Sequence, residues 1–258
     1  VTQDNHMPPE VVQEIQVLAR RYRRAGGPGL QVLALIGGRA EDLLERLPKR
    51  VKSRLDGATE YALETALRAA QSSRGVVKDQ PDWLNRIVTT GLGAAGGFGG
   101  LPGALAELPV TTTMLLRTIQ GVAAENGFDP AEPNVQFDCL HVFAAAGPLG
   151  HNEGAETGFL TSRLTVTGAG VHGLITAVSP KLATALGRKL AAQTVPVLGA
   201  AAGAATNYAY SHYYQEIARV HFGLRRLAIE TDIPQADLTE ALRAEVTRRP
   251  IGKPDRAA

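Results

Sequence analysis

Two long stretches of this chain carry no Asp, Glu, Lys or Arg: residues 87–106 and residues 190–215. Both are dominated by glycine, alanine and small polar residues, and seven glycines fall between Gly91 and Gly103. Such a run has three stable uses. It can cross a bilayer, which takes about 20 predominantly apolar residues. It can form a loop that lets backbone approach a bound pyrophosphate. It can also be helical, with the missing side chains allowing a second helix to come close.

The first use is doubtful. Much of each run is Gly, Ala, Thr or Asn, and Pro102 and Pro196 interrupt them. The second use has a pattern in its favour, because Gly91-Gly93-Gly96 and Gly168-Gly170-Gly173 both read G-x-G-x-x-G. A dinucleotide site, however, needs that loop between a strand and a helix, with an acidic residue about 20 positions on. Glu107 comes too early and no βαβ alternation surrounds either match, so no cofactor is expected. The third use fits best. Gly93/Gly97, Gly96/Gly100, Gly99/Gly103 and Gly199/Gly203 are each four apart and fall on one side of a helix. Glycine inside a helix costs about 1 kcal/mol relative to alanine. Close helix–helix packing is the compensating gain, with movement or insertion at a membrane as the alternative.

The rest of the chain is helical in pattern. Residues 9–24 place Val11, Val12, Ile15, Leu18, Ala19 and Tyr22 at helical spacing behind Pro8-Pro9. Short helices are expected at 29–36 and 39–47, and a long one over 48–73 with the stripe Val51, Leu55, Ala58, Ala62 and Ala66. Further helices are expected at 81–90, from 109 to 125 with an Asn126-Gly127 stop, at 132–145, 180–193, 206–231 and 235–248. Residues 147–158 read as a polar loop. Residues 159–166 and 171–178 are rich in Thr and Val and suit strand as well as helix. The expected fold class is therefore all-α, one compact multi-helix domain over 1–249, followed by a disordered tail at 250–258.

Composition narrows the function. A formal net charge of +2 argues against a nucleic-acid partner. The single cysteine, Cys139, excludes an internal disulfide and a cysteine-based zinc site, and fits a reducing compartment. Residues 1–10 are polar rather than basic and then apolar, so no secretory leader is expected there. Arg46, Lys49, Arg50 and Arg54 share one helix face, which reads as a solvated surface, with anionic lipid as the alternative contact.

The richest polar stretch is 208–227. On a helical wheel Ala209, Tyr213, Ile217, Val220, Leu224 and Leu227 form an apolar stripe. Tyr208, His212, Glu216 and Arg219 line the neighbouring face at contact spacing. His212 with Glu216 suits a metal pair or a base with its orienter, completed by His141, His151, His172 or Asp138. An intrahelical salt-bridged row is the simpler reading, and no metal is expected. His221 lies about 180° around the helix from His212. Arg117 follows an apolar run and needs a carboxylate if buried, for which Glu107 is the nearest candidate. The chain contains no nucleophile elbow, no phosphate-binding G-x-x-x-x-G-K-[ST] loop and no H-E-x-x-H. No catalytic residue is assigned.

Three segments resemble a known family. They are GAAGGFGGLPGALAELPVTTTMLLRTI at 93–119, VPVLGAAAGAATNYAYSHYYQEIARVHFGLRRL at 195–227, and LPKRVKSRLDGATEYALETALRAA at 47–70. Together they are similar to the EcsC family, over about residues 47–227. Among the polar residues, Glu107, Arg117, Asn207, His212, Arg219, His221 and Arg226 stand at family-like positions. The resemblance implies a bacterial protein, cytoplasmic or peripheral at the inner membrane face, linked to ABC transport or secretion. It carries no catalytic mechanism.

The leading expectation is a non-enzymatic accessory protein that binds a membrane surface, an ABC transporter subunit or a lipid-like ligand. Its candidate functional residues are Glu107, Arg117, Asn207, His212, Glu216, Arg219 and His221. One rival is a hydrolase acting on a hydrophobic substrate, which requires His212, Glu216 and Arg219 to converge with His141 or His151. A second is a structural homo-oligomer.

Overall fold

The computed structural model describes residues 7–26, 55–74, 82–98, 100–143 and 196–248, with isolated positions at 49 and between 173 and 183. The protein is all-α, and no strand occurs among the described residues. Seven helices are described: α1 (Pro9–Ala25), α2 (Leu55–Arg74), α3 (Asp82–Phe98), α4 (Gly100–Glu125), α5 (Pro133–Phe143), α6 (Pro196–Thr231) and α7 (Gln235–Thr247). The helices expected at 29–36, 39–47 and 180–193 lie outside the described residues or touch them only at single positions. So do the 147–158 loop, most of 159–178, the tail at 250–258, His151 and His172.

The central element is α6, whose 36 residues join the second Gly/Ala segment and the polar stretch into one helix. The predicted stripe is buried throughout, from Ala209 to Leu227. Around it pack α1, α3, α4, α5 and α7. The first Gly/Ala segment is helical too. It supplies the end of α3 and the start of α4 rather than a separate piece between helices.

Helix α4 also begins earlier than its sequence suggests. Pro109 reads as a start, yet the helix runs from Gly100 straight through it. Proline inside a helix costs about 3 kcal/mol. The packing of α4 against α2, α3, α5 and α6 outweighs that local preference.

Local chemistry explains the boundaries that were legible. Pro9 starts α1 and Arg23 and Arg24 close it, beside the carbonyl end of its dipole. Val11, Ile15, Leu18, Ala19 and Tyr22 are buried against α6 and α7. At the end of α4, Gly127 takes φ +84°, which a side chain would strain. The Phe128 amide then donates to the Ala123 carbonyl at 3.1 Å and the Gly127 amide to Ala124 at 3.0 Å, a Schellman stop. This turn delivers Phe128 onto the Phe222 ring, 5.7 Å away. In the core below, Phe143 of α5 stacks on Tyr214 of α6 at 4.9 Å.

Candidate functional site

The closest helix contact joins α3 and α6. A methyl group on Gly93 would lie 2.7 Å from Asn207 Nδ2 and still closer to the Gly203 carbonyl oxygen. Gly93 thus faces Gly203, and one turn away Thr89 faces Asn207. The numbers run in opposite directions, so the pair is antiparallel. Gly96 faces α4 instead. A methyl there would lie 3.1 Å from Glu107 Cβ and would collide with its carboxylate. The two glycines therefore act separately: one admits a helix backbone, the other a carboxylate.

That carboxylate belongs to a buried polar junction. Asn207 is fully buried and Glu107 nearly so. Asn207 Nδ2 donates to the Thr89 carbonyl at 2.8 Å and to Glu107 Oε1 at 2.6 Å. The Thr111 hydroxyl donates to the same Glu107 oxygen from one turn along α4. A carboxylate held by neutral donors is stabilised by charge-assisted hydrogen bonds. Three helices are fastened at one point. Glu107 and Asn207 were legible as candidates. Thr89, Thr111 and the glycine partners were not. The four-residue spacing of Glu107 and Thr111 was the available signal.

The expected pairing of Glu107 with Arg117 is not formed. Both residues lie on α4, ten residues and about 15 Å of rise apart, farther than two side chains reach. Proline 109 suggested a break between them, and the continuous helix removes it.

The polar face of α6 does form, but as a clamp. Glu216 accepts from Arg219 Nη1 at 2.8 Å and from Arg21 Nη1 of α1 at 3.3 Å. His212 Nε2 lies 3.2 Å from the Arg24 carbonyl, at the end of α1, and its ring stacks with Tyr208 at 6.4 Å. His212 and Glu216 are each engaged with α1 rather than with one another. Arg21 lies 195 residues from Glu216 in the chain, so spacing along α6 gives no sign of it.

His221 and His141 sit on the other side of α6. Their rings are 5.7 Å apart. His221 Nε2 lies 3.3 Å from Asp138 Oδ1 of α5, and Arg225 donates to the other Asp138 oxygen. The Arg225 guanidinium also lies over the Phe128 ring, 4.5 Å from its centre, a cation–π contact. Asp138 and His141 therefore do not complete a site with His212 and Glu216, as a metal or catalytic centre there required. Among the described residues no three His, Cys, Asp or Glu side chains gather as a metal would need. Gly91, Gly93 and Gly96 lie inside a helix rather than in a loop after a strand, so that match is not a nucleotide fingerprint.

Burial pushes the Asp138 carboxyl up, but the hydrogen bond and charge of His221 and the Arg225 guanidinium outweigh it. The net shift is below the ordinary aspartate value. A carboxyl lowered on folding stabilises the native state fully above its unfolded pKa. That contribution is lost as pH falls through the lowered folded value. Stability is therefore expected to decline below about pH 4. In denaturant unfolding against pH, Asp138→Asn should flatten that acid limb and lower stability at neutral pH. An unchanged acid limb would show that Asp138 contributes nothing to it.

These contacts define an all-α protein whose central helix is packed through glycines and held by one buried carboxylate junction and two ionic clusters. The sequence model of the EcsC protein family matches residues 76–227, more than half of the chain, and the chain belongs to that family. The similar segment at 47–70 lies before the matched range. No curated protein and no solved structure matches the chain.

Proposed function

We propose that this protein is a non-enzymatic accessory factor that works against the cytoplasmic face of a membrane, in a process related to transport or secretion. One observation carries the reading: apolar side chains stand in water on uncharged helix segments beside exposed arginines. Ile87 and Val88 of α3 and Tyr208 of α6 are 60%, 41% and 42% exposed. Through His212, Tyr208 adjoins the end of α1, where Arg20, Arg23 and Arg24 are exposed. Apolar contacts flanked by basic residues suit an anionic lipid surface. Among the described residues no helix is long and apolar enough to cross a membrane, so the contact proposed is peripheral.

The engagement of His212 and Glu216 with α1, and of His141 with His221, favours this reading over a hydrolase. The test is co-sedimentation with vesicles. Binding is expected to anionic vesicles and to weaken with salt. Each basic residue near such a surface contributes about 1 kcal/mol, so joint Arg20→Gln, Arg23→Gln and Arg24→Gln should weaken binding about a hundredfold. Ile87→Ser with Val88→Ser should weaken it without changing its salt dependence. Equal binding to neutral and anionic vesicles would remove the arginines from the proposal, and binding to neither would remove the lipid surface and leave a protein partner.

A further inference from the structure

Asn207, Ser211 and Gln215 follow one another at four-residue intervals on α6 and share about 80° of its circumference. All three are buried, at 0%, 1% and 1% exposure. Asn207 Nδ2 is committed to the Thr89 carbonyl and to Glu107, which fixes the orientation of its amide and leaves Oδ1 as a further acceptor. Asn207 Oδ1, Ser211 Oγ and both amide atoms of Gln215 have no hydrogen-bond partner among the described residues. Buried polar groups are almost always hydrogen-bonded, and an unmade bond is more costly than a made one is favourable. Four such atoms spread over two turns of one helix therefore call for polar partners along that stripe.

We propose that this stripe is the wall of an internal site for an uncharged, hydroxyl-bearing ligand. The donor set selects that class. Asn207 Oδ1 and Gln215 Oε1 only accept, Gln215 Nε2 only donates, and Ser211 Oγ does both. Each hydroxyl donates once and accepts from others, so hydroxyls spaced along the stripe donate to Asn207 Oδ1 and to Gln215 Oε1 and accept from Gln215 Nε2 and Ser211 Oγ. A phosphate or carboxylate would meet two carbonyl oxygens, with no cation on the stripe to offset them. The hydroxyl can belong to internal water or to a polyol such as a glycerol backbone. The proposal rests on the α6 side chains alone and stands apart from the membrane reading.

The test joins a stability measurement to two readouts on the native protein. Ser211→Ala with Gln215→Met keeps the shape of the stripe and removes its polar atoms. If the site is occupied, the variant loses those partners, and Tm should fall by about 4 °C or more. If the stripe is dry, the same change removes unpartnered groups from the core, and Tm should rise. In the unmodified protein, cross-relaxation between the Gln215 side-chain amide protons and water identifies water as the occupant. A hydroxylated molecule retained by the unmodified protein in native mass spectrometry, and lost in the variant, identifies a polyol. Should the double variant not fold, these two measurements decide alone. A rise in Tm, or a Gln215 amide in contact with neither water nor a retained molecule, overturns the proposal.

Discussion

Gly93→Ala is expected to destabilise the protein by about 3 kcal/mol, while Gly91→Ala, two residues away on the same helix, is expected to stabilise it by about 0.5–1 kcal/mol. The opposite signs follow from what each new methyl meets. At Gly93 it meets the Gly203 carbonyl, which is backbone, and no rotamer change relieves the clash. Either α3 and α6 separate along their contact or the backbone distorts. Overpacking of this kind costs about 1–3 kcal/mol, and a backbone neighbour puts it at the upper end. At Gly91 nothing lies within 4 Å, and the same is true of Gly57 and Gly121. Alanine there only restricts the unfolded chain and improves helix propensity. Gly96→Ala should also destabilise, because it displaces the Glu107 carboxylate. Chemical denaturation of the three variants reads the whole pattern. Equal effects at Gly91 and Gly93 would show that propensity, not packing, sets the role of these glycines.

Asn207→Ala is the second large effect, at about 3 kcal/mol. Its amide donates to a buried carboxylate, and hydrogen bonds to charged groups contribute about 1.5–3 kcal/mol. Removing it also leaves Glu107 with one donor fewer in a buried setting. Glu107→Gln should cost less, about 1 kcal/mol, because a neutral amide oxygen still accepts from Asn207 and Thr111. A cycle combining Asn207→Ala with Glu107→Ala should show coupling of about 1–3 kcal/mol. Additive losses would mean that the two residues act independently, contrary to the 2.6 Å bond between them.

Periodicity made much of this fold legible. Helix α1 was expected at 9–24 and occupies Pro9–Ala25, and the stripe from Ala209 to Leu227 is buried as read. The Asn126-Gly127 stop also forms, because its cause is local. Close packing at Gly93 and Gly203 followed from the cost of glycine in a helix. The errors arose where glycine and proline were taken as punctuation. Pro109 lies inside α4, since burial on several sides outweighs local preference, whereas Pro196 opens a helix in the position proline favours, and the glycines after it do not break that helix before Thr231. In the candidate site, spacing along one helix locates the polar residues and one true pair, Glu216 with Arg219, but not the partners on other helices. Arg117 was assigned to Glu107, and His212 to Glu216. The observed partners Asn207, Arg21 and the Arg24 carbonyl come from distant elements, which spacing along one helix cannot reveal.

The clamp between Arg21 and Glu216 has a consequence for how the chain is made. Helix α1 is synthesised before α6, and the carboxylate that fastens it follows 195 residues after Arg21. Its apolar side, from Val11 to Tyr22, has α6 and α7 as its resting place, and both follow the other described helices in the chain. Closing so long a loop is entropically slow but adds little to the final free-energy difference. Until α6 and α7 have both been made, α1 is an amphipathic helix without the faces it packs against. A ribosome stalled before Gly203 would hold a nascent chain in which neither α1 nor α3 has met the helix that completes it.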